Sequence, residues 1–261
     1  MAFTVHAVMP GVWHIVDCMG VCMTLLEGEN AAMLVDTGYS IEDVADFMRH
    51  MTDLPLTVFL THNHHDHAMG ARCFPETYML EADMADWRMF TNDEMRRRVL
   101  TQAIGKNLTV DEKTFLAGEI PLPKVMKPGV IDLGGLTAEI IEAPGHTPGS
   151  AVVYVPERKL LLSGDDWNPC TWLFFPQALG LREYRSNMRG IQQLPFEKVL
   201  CPHREALYDR WMFDDFFNAL TDGNLRAAEP VNIAPYEQID TCQATLPHDQ
   251  VLVFDWAKSG L

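Results

Sequence analysis

The sequence predicts an α/β protein: a two-sheet sandwich with helices on the outside. Three observations carry the prediction. Short apolar runs bounded by turn residues alternate with amphipathic stretches. One order of elements occurs twice. The candidate site residues all fall just past the ends of strands, as expected when one edge of a sandwich carries the site.

In chain order, Phe3–Val8 and Val12–Asp17 read as strands joined by Met9-Pro10-Gly11. Cys22–Glu27 and Ala31–Asp36 form a hairpin across Gly28-Glu29-Asn30. Ser40 is read as the N-cap of a helix through about Met51, with Val44, Phe47, Met48 and Met51 at helical spacing. Leu56–Leu60, after Leu54-Pro55, suits a buried strand. Glu81 to about Lys113 reads as helix, followed by a proline-rich connection to Pro128; residues 81–128 are the candidate insertion or lid. Strands follow at Gly129–Asp132, Thr137–Glu142, Ala151–Val155, Lys159–Leu162 and Phe196–Cys201. Helices are expected at Glu183–Leu194 and, long and unbroken, at Glu205–Ala228, with a last strand at Val251–Asp255. The repeated unit is hairpin, helix, Leu-Pro, strand and histidine: Cys22–Asp36 through Leu54-Pro55 to His62, then Ala151–Asp165 through Leu194-Pro195 to His203. No linker of flexible composition divides the chain, so residues 1–261 are expected to form one domain.

Length and composition bound the function. A chain of 261 residues can bury a substantial core. Its formal net charge of −16 opposes polyphosphate, so no nucleic-acid partner is expected. Arg96-Arg97-Arg98, the one basic cluster, is read as a solvated helix face. No secretory signal or membrane-spanning run is recognisable. The six cysteines (Cys18, Cys22, Cys73, Cys170, Cys201 and Cys242) contain no Cys-x-x-Cys, the pattern of reduced thiols in a cytoplasmic protein. Cys18 and Cys22 are expected in the core.

The chemistry concentrates in Thr61-His62-Asn63-His64-His65-Asp66-His67. In an extended chain, residues two apart point the same way, so His62 and His64 can face one metal ion. Asp66 continues that alternation and His67 does not, so a turn after Asp66 would bring both toward a second ion. His65 would face away. Imidazole with carboxylate suits zinc, and also iron or manganese. His146 lies in Ala143-Pro144-Gly145-His146-Thr147-Pro148-Gly149-Ser150, a loop stiffened by proline and glycine. Asp165 follows one strand through Ser163-Gly164, and His203 follows another through Pro202.

This series resembles the metallo-β-lactamase superfamily, and most of all its glyoxalase II, lactonase and related hydrolase branches. The motifs that carry the resemblance are His-x-His-x-Asp-His, Gly-His-Thr-Pro-Gly-Ser, Ser-Gly-Asp and a late histidine, spread from about Cys22 to His203. It implies a four-layer αββα sandwich and a two-metal site. His62, His64 and His146 would hold one ion, and Asp66, His67 and His203 the other, with Asp165 bridging. Asp36, in Leu34-Val35-Asp36-Thr37-Gly38, would support the ligands from behind or cap the turn. Cys201-Pro202-His203-Arg204 departs from the glycine-flanked histidine of many relatives.

The implied function is a metal-dependent hydrolase. A hydroxide bridging two divalent ions would cleave a small-molecule thioester, lactone or other ester, the water's pKa being lowered toward about 7. Asp66 and Asp165 would accept its proton. A bridging Asp165 resembles the thioesterase and lactonase branches better than enzymes acting on β-lactams. The aromatics of Asp166–Phe175 could line a substrate wall or pack in the core. Arg72, Arg88, Arg182 and Arg204 could each anchor a substrate carboxylate or be plain surface charge. No partner beyond the substrate is implied, and a homo-oligomer is left open. Competing readings are a mononuclear iron dioxygenase of the persulfide-dioxygenase type, a nuclease or phosphodiesterase (which the acidic charge opposes), and a binding protein that keeps the fold. A flavodiiron-type enzyme generally has Glu where this chain has His64.

Overall fold

The computed structural model describes residues 3–261. Seven strands form the first sheet in sequence order: β1 (Thr4–Met9), β2 (Val12–Val16), β3 (Cys22–Glu27), β4 (Ala32–Val35), β5 (Leu56–Phe59), β6 (Tyr78–Met79) and β7 (Lys124–Val125). Between them lie helices α1 (Val44–Met51), α2 (His65–Ala68), α3 (Trp87–Thr91), α4 (Asp93–Gly105) and α5 (Glu112–Phe115). The second sheet holds β8 (Gly129–Asp132), β9 (Thr137–Glu142), β10 (Ala151–Val155) and β11 (Leu160–Leu162). After the excursion of β12 (Cys170–Leu173) and α6 (Leu181–Ile191), it adds β13 (Lys198–Leu200) and β14 (Tyr208–Asp209). The chain continues through α7 (Arg210–Ala219), α8 (Asp222–Arg226), β15 (Glu229–Pro230), β16 (Thr241–Leu246) and β17 (Gln250–Asp255). Strands β12, β17, β16 and β15 make a third, four-stranded sheet.

The expected layers follow from which faces are apolar. Val12, Leu26, Met33 and Val35 of the first sheet meet Ile140, Val153, Val155 and Leu162 of the second in a shared core. On the far side of the first sheet, Leu25, Leu34 and Val58 pack on Val44, Ala45 and Met48 of α1. On the far side of the second, Val152, Leu161 and Val199 pack under α6 and α7. Helix α6 buries Leu181, Tyr184, Met188 and Ile191, one stripe at helical spacing.

The repeat read in the sequence is present in the pairing. Strands β3 and β4 are antiparallel, and β5 joins β4 in parallel after α1. Strands β10 and β11 are antiparallel, and β13 joins β11 in parallel after α6.

Three expectations are corrected, and one sheet is new. Ser40 is not a cap: its φ of 48° is left-handed and its hydroxyl donates to Glu42 O, while Asp43 caps α1 by accepting from Asp46 N at 2.9 Å. The stretch from Glu81 is not one helix; Asn92 starts a new one by accepting from Met95 N. Glu205–Ala228 is not one helix either, because Tyr208–Asp209 pairs with Lys198–Val199 and Thr221 opens α8. The third sheet was not anticipated, although Cys242, Ala244 and Leu246 alternate inward along β16.

Arg96 departs furthest from its sequence reading. It is buried, and its guanidinium donates to the carbonyls of Phe115, Ala117 and Gly118 as well as to Asp93. Arg97 and Arg98 are exposed. Arg96 therefore ties α4 to the turn after α5 and orders the segment between β6 and β7. This segment buries Trp87, Val99, Leu100, Phe115 and Ile120 against Ala68, Met69 and Ala71. Arg96→Leu would leave those carbonyls unpaired and should cost about 2–3 kcal/mol. Arg97→Ala should stay within about 0.5 kcal/mol. Urea denaturation checks this, and equal midpoints for the two variants would contradict it.

Candidate metal centre

The seven predicted site residues converge at one end of the two sheets. Strand β5 ends at Phe59, the chain bends at Thr61 and His62, and His62 and His64 leave the same edge. His64 stands at the start of α2, which turns Asp66 and His67 inward. His146 comes from the loop after β9, Asp165 from the turn after β11, and His203 from beyond β13.

Three donor groups result, each with ligand atoms within 4.8 Å of one another: His62, His64 and His146; His62, His67 and Asp165; Asp66, His67 and His203. Asp165 lies between the outer two. Its Oδ2 is 3.0 Å from His203 Nε2 and 3.5 Å from both His67 Nε2 and His146 Nε2. Asp66 Oδ2 is 3.7 Å from His67 Nε2 and from His203 Nε2.

The hydrogen bonds behind the imidazoles fix what they present. His146 Nδ1 lies 2.6 Å from Trp172 O, which can only accept. His67 Nδ1 lies 3.0 Å from Asp36 Oδ2. His62 Nδ1 lies 3.1 Å from Thr61 Oγ1, whose own proton goes to Asp36. In all three rings Nδ1 carries the hydrogen, so Nε2 presents a lone pair to the centre. His62 Nε2, His67 Nε2 and Asp165 Oδ1 are buried with no hydrogen-bond partner. Buried polar atoms left this way are costly. Lone pairs aimed at a common point are what a divalent cation satisfies, so the donor set fits one.

The electrostatics divide the donors: burial acts against charge on His67, but Asp165, Asp66 and Asp36 outweigh it and raise its pKa well above the ordinary imidazole value, so a cation must displace a proton there. Burial pushes the pKa of His62 well below the ordinary imidazole value, and His67, His64 and His146 nearby push the same way. Burial and His146 do the same to His64. Burial also acts against charge on His203, but the carboxylates of Asp165 and Asp66 outweigh it and the net direction is up. For Asp165, burial opposes ionisation, but His203 and His67 hold the carboxyl well below the usual range.

Two supports stand behind the donors. Asp36, at a left-handed φ of 64°, accepts from Thr61 N at 2.7 Å and meets His67 Nδ1. Of the two roles read for it, its hydrogen bonds match support from behind, to the His67 ring directly and to the His62 ring through Thr61. Asp83 carried no sequence signal. It is buried and accepts from Asn63 N, Thr147 Oγ1 and Gly149 N, which binds the two histidine loops together. A Cβ on Gly149 would sit 2.6 Å from Asp83 N, so glycine is needed for that approach. His65 joins no donor group; its ring stands edge-on to Tyr39 at 5.5 Å.

The donors open onto a cleft of about 550 Å³. Phe90, Met95 and Val99 of α3 and α4 form one wall, and Trp172, Phe175 and Tyr236 the other. The aromatic segment thus divides its duties along β12: Thr171 and Leu173 are buried, whereas Cys170 and Trp172 face the cleft. Apart from the donors and His65, the charged side chains lining it are Arg98 and Arg204. Arg72, which donates to Ser40 O, and Arg88, which pairs with Glu119, do not line the cleft, and neither does Arg182. Arg98 lines it while pairing with Glu94 at 2.6 Å, and was read from the sequence only as part of a solvated helix face.

Residues 16–203 match the family model described as metallo-beta-lactamase superfamily. The chain belongs to this superfamily. It is 26% identical over 202 residues to the acyl-coenzyme A thioesterase MBLAC2 of Gallus gallus, covering 69% of this chain and 70% of that one. To the linear primary-alkylsulfatase of Pseudomonas sp. (strain ATCC 19151) it is 24% identical, over 54% of this chain but only 32% of that one. The metallo-beta-lactamase family protein TTHA1429 from Thermus thermophilus shares the fold, with a TM-score of 0.60 at 18% identity, over 85% of this chain and 82% of that one. The superfamily fold is the αββα sandwich seen here, and its members are mostly metal-dependent hydrolases. Among the described residues no helix is long and apolar enough to cross a membrane.

The Asp36 hydrogen bonds generate a prediction. Asn keeps the left-handed backbone accessible and can still accept from Thr61 N. Its amide would face His67 Nδ1 with a donor and force the ring proton to Nε2. Asp36→Asn should therefore weaken metal affinity by about 10–100-fold in a folded protein. Chelator competition measures this, and unchanged affinity would refute the orienting role.

Proposed function

We propose that the protein is a binuclear metal-dependent hydrolase that cleaves a small-molecule thioester, lactone or other ester bearing an apolar acyl group. One observation carries the reading: two histidine-rich donor groups, joined by Asp165, form the floor of a cleft whose walls are apolar and whose remaining charges are cationic. His62, His64 and His146 would hold one divalent cation; Asp66, His67 and His203 would hold the second; Asp165 would lie between them. Zinc suits this mixture of imidazole and carboxylate, as do iron and manganese. Bound there, the cations would supply Lewis acidity and acidify water.

The chain's own residues do the rest. Phe90, Met95, Val99, Trp172 and Phe175 exclude water around an acyl chain and favour its burial. Arg98 and Arg204 offer donors to an anionic part of the substrate. Burial opposes charge on Asp66 and Asp165, but the imidazoles nearby hold both ionised, so on the floor they can hydrogen-bond and orient the attacking water. Tyr39 keeps its proton, because burial and the Asp66 charge raise its pKa, so its hydroxyl can donate to a substrate oxygen. The thioesterase name of the chicken relative supports the thioester within this class.

The test is a screen of metal-loaded protein against thioesters, lactones, sulfate esters, phosphodiesters and β-lactams, with metal content measured on the same sample. Hydrolysis of a thioester or ester with about two equivalents of metal is expected. A single iron with oxygen uptake would overturn the reading. His64→Ala and Asp165→Ala should lose metal and activity together, and a variant fully active without metal would contradict the assignment. Arg98→Ala and Arg204→Ala should each raise KM for an anionic thioester about tenfold and leave KM for a neutral ester of the same acyl chain unchanged. Equal effects on both substrates would remove the anionic group from the proposal.

A further inference from the structure

His64 differs from the other imidazoles around the centre. In His62, His67 and His146, Nδ1 is tied to a hydroxyl, carboxylate or carbonyl oxygen and Nε2 points inward. In His64 the ring is reversed: Nδ1 faces the centre, 2.8 Å from His146 Nε2. A neutral imidazole offers one lone pair and one N–H. For His64 to present its lone pair at Nδ1, the proton must sit on Nε2, and that N–H needs an acceptor on the outer side of the ring.

The group at that position is Gln177. Its terminal amide lies 2.6 Å from His64 Nε2, and its other terminal atom is buried without a partner. The oxygen and nitrogen of an amide are told apart by their hydrogen bonds. With the nitrogen toward His64, the carbonyl oxygen is left orphaned. With the oxygen toward His64, it accepts the Nε2–H and the amide nitrogen takes the unpartnered position; one terminal atom lacks a partner either way, so the lone pair needed at His64 Nδ1 decides the orientation. Phe90 and Phe175 crowd the ring, at 4.4 Å and 4.8 Å between centroids.

We propose that Gln177 is a positioning residue: its side-chain oxygen accepts the Nε2–H of His64 and so makes Nδ1 the metal-ligating atom. The inference rests on the cation reading of this site and adds what holds its one reversed imidazole. Gln177 is separated from Phe175 only by Pro176, so the segment that lines the cleft would also set the chemistry of a ligand.

The test uses the full-length chain loaded with zinc. Zinc affinity is measured by chelator competition, and imidazole ¹⁵N spectra report the ligating nitrogen and the solvent exchange of the Nε2–H. Wild type should show His64 ligating through Nδ1, with a slowly exchanging Nε2–H. Gln177→Leu should weaken zinc binding about 10–100-fold and expose that proton to exchange, whereas Gln177→Glu, which still accepts, should restore both. Should Gln177→Leu fail to fold, Gln177→Met, with no comparable acceptor, makes the same comparison. Gln177→Leu with wild-type affinity and a protected Nε2–H would overturn the inference alone. So would a Gln177→Glu variant as defective as Gln177→Leu, since packing would then be the cause. A wild-type chain that takes up no cation would overturn the cation reading and this inference together.

Discussion

The carboxylate of Asp36 is the constraint on which the first half of the site depends. It sits at the end of β4, in a left-handed turn that aims it across the sheet edge at β5. One oxygen takes Thr61 N, and the Thr61 hydroxyl is shared between both oxygens. Thr61 then accepts from His62, and Asp36 itself meets His67. A single buried anion thus orients two imidazoles and fixes where the chain leaves the strand. Thr37 reinforces it, since both its N–H and its hydroxyl donate to His67 O. Such interactions are strong because both partners are withdrawn from water, and a missing partner would be correspondingly costly.

The second half of the site is held by different means. Asp166 accepts from His146 N, and Asp83 gathers the backbone of the His146 loop onto that of Asn63. Asp83 comes from the start of the segment that also supplies Phe90, Met95 and Val99 to the cleft. The opposite wall comes from β12, which the third sheet secures by pairing it in parallel with β17. The donors therefore belong to the sandwich, and the walls to the pieces added onto it. Selection can act on the walls while leaving the donors in place.

Much of this was legible in the sequence because it is local. Two histidines two apart after an apolar run share a side by strand geometry alone, and Ala151–Val155 announced its strand by an unbroken apolar run between turn residues. What escaped notice depends on partners distant in sequence. Arg96 looks like its two neighbours until the carbonyls of Phe115, Ala117 and Gly118 reach it. Glu205–Ala228 has helix-forming composition, yet Tyr208 and Asp209 are taken by the edge of the second sheet. Arg98 and Tyr236 enter the cleft from segments far apart in sequence. Gln177 and Asp83 are ordinary polar residues in composition; only their hydrogen bonds distinguish them.

The two sheets each bring donors that the other lacks. His62, His64, Asp66 and His67 follow a strand of the first sheet, while His146, Asp165 and His203 follow strands of the second. None of the three donor groups is complete within either set. The centre therefore comes into being only when the sheets dock. Any species that binds the docked state and not the open chain shifts the folding equilibrium by mass action. Cation supply during synthesis would then govern how much of the chain persists in its native form, apart from any part the cation plays in catalysis.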